Sequence, residues 1–297
     1  MNILISGGTG LIGQALIKYW AAQHHITVLT RSSEKARRIL PADITLIEHP
    51  DQQDFNALDA VINLAGEPIA DKRWTEKQKQ LICHSRWQLT GQLSQHIQQA
   101  GTPPHTFISG SAIGYYGRQN EQFIDEHYTA CYPEFTHQVC KKWEELAQQA
   151  ASETTRVCIL RSGVVLSADG GALSKMLPSF KIGLGGYAGS GQQYMSWIHL
   201  HDMVRIIDFL LLHPTLSGVF NATAPEPVTN KVFGQLLAKR LQRPAFLPAP
   251  ASLLKMVLGE MADMLLYGQR VIPRRLQEAG FSFNYPTLQP ALASLSL

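Results

Sequence analysis

Gly7, Gly10 and Gly13 fall three residues apart directly after the apolar run Ile3-Leu4-Ile5, and this spacing is the first in the chain that could serve chemistry. The first glycine can make a tight turn, the second can let backbone approach a pyrophosphate, and the third can let a helix pack on the strand. Thr9, Leu11 and Ile12 complete the loop. The helix it opens, Leu11 to Gln23, turns its free N–H groups and positive dipole end toward the phosphates. Without a ligand the same glycines would be a tight turn only. A second apolar run, Ile26 to Leu29, ends at Thr30-Arg31. An NAD site would put Asp or Glu there for the ribose 2′-hydroxyl, whereas Arg accommodates a 2′-phosphate, so Arg31 predicts NADP(H). Lys35, Arg37 and Arg38 follow in the next helix and read as its solvated face.

Candidates for proton transfer come later. Thr106 to Ser109 reads as a strand opening into Gly110-Ser111-Ala112-Ile113-Gly114-Tyr115-Tyr116-Gly117, which brings Ser111, Tyr115 and Tyr116 hydroxyls to a strand's carboxyl end. Such a loop is equally plain turn chemistry. Asn63-Leu64-Ala65-Gly66 also closes a strand, on the side where open α/β sheets bind ligands, or is an ordinary turn. His199-Leu200-His201-Asp202 offers side chains a metal could use, but with no further ligand Asp202 reads better as a helix N-cap, and no metal is expected.

These residues need a frame. Strands at 3–5, 26–29, 44–47, 60–66, 106–109 and 157–160 alternate with helical patterns, which predicts a Rossmann-type α/β fold: a doubly wound parallel sheet with a smaller C-terminal substrate or cap region. A long helix from Thr75 to Ala100 carries Leu81, Leu89, Leu93 and Ile97 as its apolar stripe, with Arg86 and Trp87 in its middle. Another, Glu134 to Ala151, carries Cys140. Residues 163–195 are glycine-rich and read as a substrate-side flap. Helices follow at 203–212 and 230–241, then a linker punctuated by Pro244, Pro248 and Pro250. Leu253 to Tyr267 reads as one amphipathic helix whose Met256, Met261 and Met264 fill a core. The expected organisation is a cofactor domain over 1–165, with parts of 196–225 completing its sheet, a flap and crossover over 166–245, and a helical cap over 246–297.

Composition bounds the partners. A net charge of +3 and a pI near 8.6 are too mild to imply nucleic acid or membrane. No basic segment leads into an apolar run at the N-terminus, and no apolar stretch is long enough to span a bilayer, so the expected compartment is the cytoplasm. Cys83, Cys131, Cys140 and Cys158 form no C-x-x-C pair or zinc spacing and read as reduced thiols.

The glycine loop, Asn63-Leu64-Ala65-Gly66 and Trp197-Ile198-His199 through Asp202 resemble the extended short-chain dehydrogenase/reductases, which include nucleotide-sugar epimerases. Leu160-Arg161-Ser162-Gly163-Val164-Val165-Leu166, the glycines from Gly185 to Gly191, Met195-Ser196-Trp197-Ile198-His199 and Gly268-Gln269-Arg270-Val271-Ile272-Pro273 are similar to the YfcH-type "epimerase family" proteins, atypical members with a small C-terminal domain of unknown function. The resemblance covers essentially the whole chain. It implies cofactor contacts at Leu64, Ala65, Gly66, Arg86 and Val164 besides the glycine loop, Thr30 and Arg31. It also implies hydride transfer between a nicotinamide and an oxygen-bearing carbon of a small molecule, a nucleotide sugar or a carbonyl compound.

The chain departs from the superfamily pattern where a Tyr acts as acid/base and a Lys lowers its pKa. With Ser111 and Glu144 as anchors, those positions fall on Thr136 and Cys140. Thr136 is far too weak an acid, and Cys140 has no positive charge. Tyr115 or Tyr116, helped by Ser111, is then the candidate acid; Cys140 meets the cofactor ribose or is a buried small side chain; Arg86 replaces an active-site Asn. The rival reading is a non-catalytic NADP(H)-dependent sensor or binding protein.

Overall fold

The computed structural model describes residues 1–20, 22–244 and 248–297. From the N-terminus run β1 (Asn2–Ser6), α1 (Leu11–Trp20), β2 (His25–Leu29), α2 (Ser33–Arg37), β3 (Thr45–Ile47), β4 (Ala60–Asn63), α3 (Glu76–Gln99) and β5 (Thr106–Ala112). Then come β6 (Phe123–Ile124), α4 (Phe135–Gln148), β7 (Arg156–Ser162), β8 (Val164–Leu166), α5 (Gly171–Lys181), β9 (Tyr194–Met195), β10 (Trp197–His199), α6 (Leu200–Leu212) and β11 (Gly218–Ala222). The last part holds β12 (Val228–Thr229), α7 (Asn230–Leu241), α8 (Ala251–Leu258), α9 (Asp263–Leu266), β13 (Arg270–Val271), α10 (Arg274–Glu278) and α11 (Leu288–Ser294).

Seven parallel strands form the main sheet in the order β11-β7-β5-β4-β1-β2-β3. Alternation along each strand feeds two cores. Ile3 and Ile5 face Leu16, Ile17 and Trp20 of α1 and Met203, Ile206 and Ile207 of α6. Leu4 points the other way, toward Leu93 and Ile97 of α3 and Ala147 of α4. Burying both faces is what permits an all-parallel sheet, and it brings every carboxyl strand end to one rim. The sheet is the Rossmann-type one that the alternation predicts.

A third core joins Leu173, Leu177 and Phe180 of α5, Phe233 and Leu237 of α7 and Leu288, Ala291 and Leu292 of α11. Here the structure replaces the long loop on which the flap reading rests. Residues 163–195 contain two short strands, β8 and β9, and an eleven-residue helix, α5, even though Pro178 lies inside it and glycines flank it. Leu173, Leu177 and Phe180 recur at helical spacing and are buried, and that burial outweighs the breaker residues.

Three further expectations change. Leu81 is 46% exposed, because eight residues of helix turn a side chain about 80° past the starting face, and Ile82 takes the buried position. The N-cap of α6 is His199, whose Nδ1 accepts the His201 N–H at 3.1 Å, while Asp202 is buried in the first turn. Asp202 accepts the N–H groups of Asn284 and Tyr285 at 3.0 and 2.8 Å and thereby docks the C-terminal segment. The expected helix from 253 to 267 breaks at Gly259, which has φ +62°, and Met256 is 69% exposed rather than core. This cap is fastened by charge: Lys79 meets Glu260 at 2.5 Å and Arg118 meets Asp263 at 2.8 Å.

The helix after the glycine loop ends at Trp20; Ala21 lies outside the described residues, as do 245–247 of the proline linker and with them the boundary expected at 245/246. Among the described residues no helix is long and apolar enough to cross a membrane. The four cysteines are free.

Candidate functional site

The turn after β1 has no room for side chains. Gly7 has φ +74°, and a Cβ there would lie 2.6 Å from the Leu64 carbonyl carbon. At Gly13 a Cβ would lie 2.3 Å from the Gly7 oxygen, so only glycine lets α1 start this close to the strand. Gly10 N–H closes the turn on Gly7 O at 2.9 Å, and the first helical bond runs from Gln14 N–H to Gly10 O at 2.9 Å. The amides ahead of it, at the positive end of α1, face the rim as phosphate donors. Thr9 O accepts from Gln14 Nε2, and Leu11 closes the turn from above by packing near Gly170 and Gly171. This cradle fits a dinucleotide pyrophosphate.

Thr30 follows β2, its N–H on Ile47 O at 2.9 Å, and Arg31 extends beyond it with a side chain 92% exposed. Across β1, Leu64 N–H bonds to Ser6 O at 3.0 Å, which brings Leu64, Ala65 and Gly66 against the glycine turn. Buried Asn63 holds this arrangement: its Oδ1 accepts from Ser6 at 2.6 Å and its Nδ2 donates to Thr90 at 2.8 Å and Ser109 at 3.2 Å. Val164 N–H bonds to Ser196 O at 2.9 Å and sits on the same rim.

Arg86 lies under Gly66, where a Cβ would come within 2.8 Å of its Cζ. Its Nη1 donates to the carbonyls of Glu67 and Ile82 at 3.0 and 3.1 Å, and its guanidinium stands 5.2 Å from the Trp143 ring. Burial lowers its pKa from the usual value, with Cys140, Cys83 and Glu67 acting the other way. The arrangement clamps the 64–67 segment from below.

The proposed catalytic residues gather around the Arg161–Glu144 pair but differ in their surroundings. Ser111 Oγ donates to Glu144 Oε1 at 2.6 Å, and Glu144 is paired with Arg161. Tyr116 is 0% exposed; its hydroxyl donates to Asn221 Oδ1 at 2.8 Å and accepts from Arg161 at 3.1 Å, and burial pushes it up to about 12. It has no path to a substrate. Cys140 is 5% exposed and lies beside Ser111, its thiol pushed up to about 12 by burial and by Glu144, so it stays neutral at physiological pH. Thr136 donates to Glu134 at 3.1 Å, and Gly114 lets α4 approach, since a Cβ there would lie 3.0 Å from Thr136 Cβ. Tyr115 is half-buried with its ring 3.4 Å from the Arg161 guanidinium. Its hydroxyl has no acceptor among the described residues, and burial raises its pKa, so the phenol carries its proton near neutrality.

The sequence pattern does not mark Arg161 or Glu67 as site residues, and Glu144 stands in it only as an anchor. The available signal was a cation inside an otherwise apolar strand, Ile159-Leu160-Arg161, which a buried partner must neutralise. A separate cleft of about 510 Å³ opens between α3, α4 and Glu260, with Cys83, Trp87 and Phe135 among its lining residues. Its lining includes none of the expected site residues.

Residues 3–222 match the NAD dependent epimerase/dehydratase family, and residues 249–295 match a domain of unknown function, DUF1731. The chain belongs to this epimerase family. Its members include an "Epimerase family protein SDR39U1 homolog, chloroplastic" from Arabidopsis thaliana, 40% identical over 99% of this chain and 86% of that protein. The structure of human epimerase family protein SDR39U1 with NADPH superposes with a TM-score of 0.91 at 35% identity, covering 99% of this chain and 98% of that one. A UDP-glucuronic acid 4-epimerase from Bacillus cereus, solved with a fluorinated UDP-sugar and NAD, shares the fold at a TM-score of 0.79 and 17% identity, over 99% of this chain and 97% of that one. This epimerase-family chain thus combines the cofactor fold with the DUF1731 segment that forms α8 to α11.

Proposed function

We propose that the protein binds NADP(H) and acts as an oxidoreductase or epimerase on a small molecule, a nucleotide sugar or a carbonyl compound. The carrying observation is Arg31, an exposed guanidinium at the end of β2 beside a glycine turn with no room for a Cβ. The human relative solved with NADPH supports the same cofactor. Leu64, Ala65, Gly66 and Val164 would line the bound dinucleotide, and Arg86 would hold the 64–67 segment against it. The nicotinamide would supply hydride chemistry. Tyr115 is the residue suited to donate a proton to a substrate oxygen, since its hydroxyl donates to no acceptor among the described residues and stays protonated near neutral pH. Ser111, whose proton is engaged by Glu144, would accept a hydrogen bond from substrate. The four free thiols suit the cytoplasm.

A second reading, an NADP(H)-dependent sensor without turnover, is favoured by the neutral, buried Cys140 and by Thr136 in place of the usual pair. The deciding experiment follows NADPH oxidation against a panel of carbonyl compounds and nucleotide sugars, with Tyr115→Phe beside wild type. The enzyme reading expects turnover with some member and a loss of about a hundredfold or more in Tyr115→Phe, the size of a general-acid contribution, at unchanged NADPH affinity. Cofactor binding without turnover across the panel supports the sensor. Turnover unaffected by Tyr115→Phe removes Tyr115 as the acid.

A further inference from the structure

Arg31 follows β2 and Glu67 follows β4, and β1 with its glycine turn lies between those strands. The two side chains reach toward each other across that turn, Nη1 to Oε2 at 3.9 Å. With Arg31 92% exposed, the pair contributes little to folding. Its two halves differ in exposure. Arg31 has no other acidic partner among the described residues. Glu67 is held at its backbone, where its N–H donates to Ser85 Oγ at 2.9 Å and its carbonyl accepts from Arg86 at 3.0 Å, and its side chain is only 19% exposed.

A largely buried carboxylate therefore faces an exposed guanidinium on the side of the crevice where the ribose 2′ position of a dinucleotide lies. Such a carboxylate competes with a 2′-phosphate for Arg31 and repels that phosphate, while it can accept a hydrogen bond from a 2′-hydroxyl. We propose that Glu67 is a specificity-determining residue that limits the preference for NADPH over NADH, an inference that rests on the NADP(H) reading above. In a chain with no acid at the end of β2, the acidic group would reach the ribose from β4 instead.

The test is calorimetric titration with NADPH and with NADH of wild type, Glu67→Gln, Glu67→Asp and Arg31→Ala, at low and high salt. Glu67→Gln is expected to raise the NADPH-to-NADH affinity ratio about two- to fivefold at low salt, the scale of an exposed ion pair, by tightening NADPH and weakening NADH. The gain should shrink in high salt, as a charge effect at the rim must. Glu67→Asp, which keeps the charge, should stay closer to wild type than Glu67→Gln. A ratio unchanged in Glu67→Gln, or one that rises without salt dependence or rises equally in Glu67→Asp, overturns the role of Glu67 while leaving the cofactor reading in place. A wild type that prefers neither cofactor, or whose preference survives Arg31→Ala, overturns the cofactor reading and this inference with it.

Discussion

Arg161 and Glu144 meet at the rim of the sheet through two hydrogen bonds, Nε to Oε1 at 2.9 Å and Nη2 to Oε2 at 2.7 Å, with both side chains almost closed to solvent. The pair also organises its surroundings: Ser111 donates to the same Glu144 oxygen, Tyr116 accepts from Arg161, and the Tyr115 ring lies over the guanidinium. Glu144 holds the Arg161 pKa above its already high value against the opposing effect of burial.

Removing one member leaves an uncompensated buried charge. Glu144→Gln should cost about 3–5 kcal/mol of unfolding free energy, measured by urea titration. Replacing both partners, as in Glu144→Leu with Arg161→Met, should cost less than Glu144→Gln alone. A loss under about 1 kcal/mol in Glu144→Gln would mean that the pair is solvated like a surface bridge.

Thiol labelling should follow burial. Cys83 and Cys131 are half-buried, whereas Cys140 and Cys158 are buried with thiols pushed up to about 12 and about 11. Alkylation followed by peptide mass spectrometry should modify the first two well before the last two, with or without NADPH. Rapid labelling of Cys140 would show that the thiol is open to the cleft.

His199 carries a pH dependence. Its Nδ1 accepts from His201 N–H, its Nε2 lies 3.2 Å from Ser294 Oγ, and Tyr285 packs on its ring at 4.0 Å. Burial lowers its pKa from 6.5 to about 4, with Asp202 acting in the opposite direction. The unfolded chain thus takes up the proton first as pH falls, so the stabilisation is complete above about pH 6.5 and is lost on the way down to about pH 4, by about 3 kcal/mol. Denaturation across that window should show the fall in wild type and a flatter profile in His199→Gln. Parallel profiles would remove His199 as the cause.

What could be read from the sequence follows from how local each signal is. The glycine turn and strands β1, β2 and β4 depend on neighbouring residues, and the structure has them where the pattern predicts. Helix α5 was hidden because Pro178 and the flanking glycines are local breakers, while the core that overrides them comes from α7 and α11. The cap misled in the opposite direction: a Met- and Leu-rich pattern predicts burial, but no residue of α8 is buried. The Arg161–Glu144–Ser111 cluster joins residues from β7, α4 and β5, and no period along one element could bring them together.

Arg31 is the proposed reader of a 2′-phosphate. The most direct measurement is calorimetric titration of wild type and Arg31→Ala with NADPH and NADH under identical salt. A charge-assisted contact of about 1.5–3 kcal/mol predicts that wild type binds NADPH at least about tenfold more tightly than NADH, and that Arg31→Ala loses most of that difference while keeping its NADH affinity. Equal affinities in wild type, or a preference that survives in Arg31→Ala, would contradict the account.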